Sequence, residues 1–173
     1  MKIRLGNLQA NFIFIIFFFI GCENSNESND VVNTQTVSVT TTNVNVADIF
    51  YNLSSQSQVE INDTWHVGIV KDTENYNMPS FIPGDVDIAV YESLDFNELE
   101  KVPDSFQNDI MEDHSNFSYG SSHEVLSYDI SVHKVSVTNP NYVYVIISSS
   151  NAFKLQFLEY ISGITVFQFA NLE

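Results

Sequence analysis

The sequence predicts an all-β fold, a single antiparallel β domain, on three observations. Apolar residues recur with a period of two over many short runs. Clusters of Ser, Asn, Asp, Gly and Pro separate most of those runs, and no segment sustains the 3.6-residue period of a long helix. Period-two alternation is what a half-buried strand requires, and the separating residues are the ones turns favour.

Residues 1–21 stand outside that domain. Lys2 and Arg4 precede an apolar run from Phe12 to Ile20, bounded by Asn11 on one side and Gly21-Cys22 on the other. A membrane-spanning helix needs roughly 20 apolar residues, whereas a signal-peptide core needs about 7–15. The run therefore reads as a removable lipoprotein signal peptide. Cys22 is the only cysteine and directly follows Phe19, Ile20 and Gly21. Apolar residues, a small residue and then cysteine resemble the lipobox of bacterial lipoproteins, so Cys22 is the expected lipidation point. A lone cysteine has no disulfide partner in its own chain. The expected location is the outer membrane, on its periplasmic or cell-surface side, held through the covalent lipid.

Residues 22–34 form a tether after the lipidated cysteine, because Asn, Ser, Glu and Asp dominate and Val31 and Val32 are its only apolar side chains. That is too little burial to offset the entropy of ordering. The domain spans 35–173 and opens with Val37, Val39, Val44 and Val46 alternating with Thr, Ser and Asn. Further strands are expected at Ile49 to Leu53, Trp65 to Val70, Val86 to Tyr91, Val125 to Ile130 and Val132 to Val137. The stretch from Asp72 to Gly84 lacks periodicity and carries Pro79 and Pro83, which predicts a loop. Phe96 to Val102 is the one helical reading, at most two turns before Pro103.

The last three runs, Tyr142 to Ser148, Phe153 to Tyr160 and Ile164 to Phe169, are joined by short turn sequences and predict an antiparallel meander. Phe153, Leu155 and Phe157 share one face of the middle strand and Lys154 and Gln156 the other. A one-residue slip would drive both polar side chains into the core, which specifies the register.

Removal of the first 21 of 173 residues leaves 152, a length for one domain with a sizeable core. The six Lys and Arg less Lys2 and Arg4 leave four cations against 22 Asp and Glu, a formal charge of −18 with His neutral. Such a surface repels phosphate backbones and anionic lipid headgroups, which argues against nucleic-acid partners. Its plain role is solubility. No Gly-x-Ser-x-Gly elbow, His-Glu-x-x-His pair or phosphate loop occurs, and the single cysteine is committed to lipid, so no enzyme is expected. The oxygen-rich segment Asp85 to Asp95 lacks the central glycine and closing glutamate of a calcium loop.

Three blocks follow one another along the chain: "FYNLSSQSQVEINDTWHVGIVK" from Phe50, "LDFNELEKVP" from Leu94 and "YVYVIISSSNAFKLQFLEYISGITVFQF" from Tyr142. In that order they resemble the HmuY-like family of bacterial outer-membrane haem-binding lipoproteins. Trp65 takes the position of the family's strand-leading tryptophan. Where family members carry a glycine-rich segment, Asn77 to Tyr91 has a single glycine, and His66 stands where aspartate is common. The resemblance implies an all-β domain that binds haem through two histidines and cooperates with a TonB-dependent outer-membrane haem receptor.

Haem iron takes axial donors such as His or Met, within an apolar slot. His133, three residues from the place of one family ligand, is the first candidate, followed by His123 and His114. Met111, close to His114, is a thioether candidate. Each also reads as an ordinary polar surface or gap-filling residue. His66, inside an apolar run, reads as a hydrogen-bonded core or face residue. Two functions are therefore expected in turn: a surface lipoprotein that binds haem or a related tetrapyrrole and passes it on, or a cofactor-free lipid-anchored module that binds a protein or glycan.

Overall fold

The computed structural model describes residues 35–104 and 117–173. Eleven strands occupy those residues: β1 Val37–Thr40, β2 Ile49–Asn52, β3 Ser57–Val59, β4 Val67–Asp72, β5 Met78–Pro83, β6 Asp87–Tyr91, β7 Leu126–Asp129, β8 Lys134–Val137, β9 Val143–Ile147, β10 Ala152–Ile161 and β11 Ile164–Leu172. They form a five-stranded sheet in the order β1-β11-β10-β9-β6, a four-stranded sheet in the order β3-β2-β4-β5, and the hairpin β7-β8. Every pairing is antiparallel. The all-β antiparallel expectation holds.

The two large sheets enclose one apolar cluster, built from Ile49, Tyr51, Ile69 and Phe81 on one side and Ile88, Tyr144, Phe157 and Phe167 on the other. Aromatic rings knit the layers together edge to face. Tyr51 lies 5.3 Å from Phe167 and Phe81 lies 5.1 Å from Phe157, ring centre to ring centre. Such tilted contacts add about 0.5–1.5 kcal/mol each beyond the area they bury.

The meander β9-β10-β11 has the expected register, with Phe153, Leu155 and Phe157 buried in the shared core. Its β10-β11 turn is the two-residue Ser162-Gly163, with φ of 50° and 97°. Both values lie in the left-handed region that a type I′ hairpin turn needs and that glycine adopts freely. An extra residue, Leu158, interrupts the ladder between Phe157 and Glu159, a bulge that bends β10.

Lys154 points away from the shared core, as alternation requires, yet it is only 4% exposed. Residues Phe96 and Leu99 fold over that outer face and pack on Val143 and Ala170. The Lys154 ammonium donates to the carbonyls of Phe96 and Leu99, both at 2.7 Å, and sits 4.7 Å from the centre of the Phe96 ring. The expected helix at Phe96 to Val102 is a single turn, in which the amides of Glu98 and Leu99 donate to the Asp95 carbonyl. Pro103 has no N–H to donate to Leu99 O, and Lys154 takes that carbonyl and the Phe96 carbonyl.

Three boundaries depart from expectation. Met78–Pro83 is strand rather than loop, and it is an edge strand paired only with β4. Proline is tolerated there because the missing amide faces away from the ladder. Ser57–Val59 pairs with β2 although its polar sequence carries little strand signal. Val44 is buried and Val46 exposed in a turn after β1, not a second strand. The turn is tied to the β10-β11 hairpin, where Asn43 and Asn45 donate to the Ser162 carbonyl.

Candidate functional site

At one end of the sandwich the chain leaves β2, enters β4, passes from β5 to β6 and turns from β9 to β10. These four segments surround an open cleft of about 940 Å³. Its residues come from both sheets, with Trp65 and His66 at the start of β4, Gly84 and Asp85 after β5, and the Ser148–Asn151 turn opposite.

His66 is fixed by its backbone on both sides, its amide donating to Tyr51 O at 3.0 Å and its carbonyl accepting from Gly84 N at 3.1 Å. The ring is 3% exposed and lies 5.5 Å from the Phe153 ring. Nδ1 accepts the buried Leu53 amide at 3.0 Å. An accepting Nδ1 carries no proton, so the neutral ring bears its hydrogen on Nε2. Burial pushes the imidazole below the usual histidine range, which reinforces the neutral form. Nε2 has no hydrogen-bond partner among the described residues, while His66 lines the cleft.

Trp65 is half-buried, with its ring 4.9 Å from Phe50 and its Nε1 donating to Ile61 O at 3.2 Å. Gly84 closes against it: a Cβ there would collide with the Trp65 carbonyl oxygen and lie 3.2 Å from its six-membered ring. The absence of a side chain at 84 is what lets the Trp65 backbone carbonyl approach so closely. Across the cleft Asn151 donates to Ser54 Oγ at 3.3 Å, joining the β9-β10 turn to the loop after β2. Asp85 and Ser149 make no side-chain hydrogen bond among the described residues.

The sequence-derived histidines lie elsewhere. His133 is exposed in the β7-β8 turn with φ of 52°, and its Nδ1 is 2.6 Å from the Tyr128 hydroxyl. Ile130 and Val132, beside it in the turn, are exposed at 76% and 64%. His123 precedes β7, at the base of the same hairpin. Four paired positions from Leu126↔Val137 to Asp129↔Lys134 separate the two, so the hairpin does not bring them together. His114, Met111 and Cys22 lie outside the described residues. Among the described residues no group of three His, Cys, Asp or Glu is placed to hold a metal ion, and no helix is long and apolar enough to cross a membrane.

No family model, curated protein or solved structure matches the chain. His66 was legible as a hydrogen-bonded core residue, and it is one. That it also lines a cleft was not, because the other walls come from segments some 20 and 80 residues further along the chain.

Proposed function

We propose that the mature chain is a lipid-anchored binding module of the outer membrane, attached through Cys22, whose end cleft takes a polar partner without a cofactor. The observation that carries this reading is the cleft itself: a half-buried tryptophan and a buried histidine donor, faced by serine, asparagine and aspartate. Binding sites combine an apolar contact surface with a few fixed polar groups in this way. The acidic surface keeps the module apart from other anionic surfaces, and the lipid supplies the membrane contact.

Trp65 is the only tryptophan in the chain, so its emission reports the cleft. The test adds solubilised outer-membrane material, untreated, protease-treated or periodate-oxidised, to the mature chain. A saturable change in Trp65 emission that Ser149→Phe removes is the expected result. A change that survives Ser149→Phe, or none with any preparation, refutes the reading.

The HmuY-like resemblance supports a second reading, in which haem or a related tetrapyrrole is bound and passed to a TonB-dependent receptor. The Tyr128–His133 pair favours it. A histidine whose Nδ1 is held by a neighbour presents Nε2 in one orientation, the arrangement of an axial ligand, and Ile130 and Val132 offer apolar contact to a macrocycle. Haem titration tests it. A stoichiometric Soret band lost in His133→Ala supports the assignment, and a spectrum equal to that of free haem refutes it. His123, His114 and Met111 are then the residues to replace in search of a second ligand.

A further inference from the structure

We propose that the cleft at Trp65 and His66 is selective for a hydroxyl-rich, non-anionic saccharide, with His66 Nε2–H as the donor at its floor. This rests on the reading of the cleft as a binding site and names the class of its ligand.

The floor group has one free valence. His66 Nδ1 is filled from behind by the Leu53 amide, and the ring is almost wholly buried, so Nε2–H is the remaining donor. As the ring's remaining donor, with no protein partner among the described residues, Nε2–H is left to hydrogen-bond water or a ligand oxygen. The walls add complementary groups, since the Asp85 carboxylate accepts and the Ser149 hydroxyl both donates and accepts, and neither is engaged within the described residues. A sugar ring matches that set, because each hydroxyl donates and accepts while its C–H face is apolar enough to lie against an indole. Trp65, half-buried, lines the cleft and carries its one indole.

Charge narrows the class. Asp63 and Asp85 line the cleft, and among the described residues no Lys or Arg does. Sialylated, sulfated or phosphorylated sugars would bring an anion to two carboxylates with no cation to receive it, on a chain already strongly negative. The same two carboxylates repel the propionates of a haem, which separates this cleft from the His133 hairpin.

The test uses the mature full chain on an array of defined neutral, sialylated and sulfated oligosaccharides, with solution titrations of the hits read by Trp65 emission. Neutral saccharides are expected to bind at least tenfold more tightly than their anionic counterparts. Ser149→Phe is expected to weaken them tenfold or more without changing the melting temperature, and Asp85→Lys to narrow the gap to the anionic forms. Equal binding of anionic sugars, or neutral binding that ignores Ser149→Phe, overturns the inference. If no array saccharide binds while protease-sensitive membrane material still shifts Trp65 emission, the saccharide assignment fails and the binding module stands. If nothing shifts it, both fail.

Discussion

Replacement of Lys154 by methionine removes the ammonium and keeps most of the aliphatic stem. The wild-type amine donates to Phe96 O and Leu99 O, each at 2.7 Å, in a place 4% exposed to solvent. Hydrogen bonds from a charged donor contribute about 1.5–3 kcal/mol each, so two give roughly 3–6 kcal/mol gross. Methionine recovers part of this, because it spares the cost of holding a charge away from water. Contact with the Phe96 ring, 4.7 Å from Nζ, adds about 0.5–1 kcal/mol that is also lost. The expected net loss is about 2–4 kcal/mol, or roughly 5–15 °C in melting temperature for a domain of this length.

The loss should also be local. Leu99 and Phe96 cover the outer face of the five-stranded sheet, and Val102 N and Glu173 N pair that segment with the chain end, donating to Glu173 O and Glu100 O. Amide exchange resolved by residue is therefore expected to speed most at Glu98, Leu99 and Val102, and least in the meander core around Leu155. A melting temperature within about 2 °C of wild type, or exchange that rises evenly across the domain, would refute the account of Lys154 as the pin of this cover.

Other perturbations test other parts of the fold. His66 has its folded pKa lowered by burial, so the unfolded chain binds more protons below its ordinary value of 6.5. Stability should be fully present above about pH 6.5 and fall as the pH drops through that window, and a His66→Gln variant should lose most of this slope in urea titrations at pH 5 to 7.5. Tyr144 is buried, and its phenol is raised well above the ordinary 10.0 by that burial and by Tyr142. Its contribution is intact below about pH 10 and is lost as the pH rises further, so Tyr144→Phe should flatten the alkaline limb of the melting profile. Thr165 Oγ1 is buried with no hydrogen-bond partner among the described residues. Thr165→Val should leave stability unchanged or raise it by about 1 kcal/mol, and a loss of more than that in denaturant melts would contradict the assignment. Gly84→Ala should displace Trp65 and shift its emission toward that of exposed indole, an outcome that emission identical to wild type would deny.

What was legible in the sequence was set by local patterning. The meander could be read because Phe153, Leu155 and Phe157 alternate with Lys154 and Gln156 and because Ser162-Gly163 supplies the turn. β5 could not, since Pro79 and Pro83 erase the ladder signal and only an edge position, a fact of tertiary structure, permits them. The short helix failed for a related reason. Its residues are good helix formers, but Pro103 has no N–H for the Leu99 carbonyl, and that carbonyl and the Phe96 carbonyl are taken by a lysine 55 and 58 residues away.

The same division separates the two candidate sites. His133 attracts notice in a sequence because histidine is a rare residue with metal chemistry, yet its place in a hairpin turn isolates it from His123. His66 attracts less, because a histidine in an apolar run reads as core. In the reading proposed above it has both roles: the buried Leu53 amide takes Nδ1 and so leaves the proton on Nε2, and His66 also lines the cleft. A residue that is structural at one ring nitrogen and available at the other leaves no separate mark in sequence. The discriminating experiment is therefore one that keeps or removes the ring's two hydrogen-bonding groups. At neutral pH a His66→Gln variant, which can offer Oε1 to the Leu53 amide and an N–H to the cleft, should fold and keep part of the cleft binding, whereas folded His66→Leu, with neither group, should lose it; binding retained in folded His66→Leu would assign His66 to the core alone.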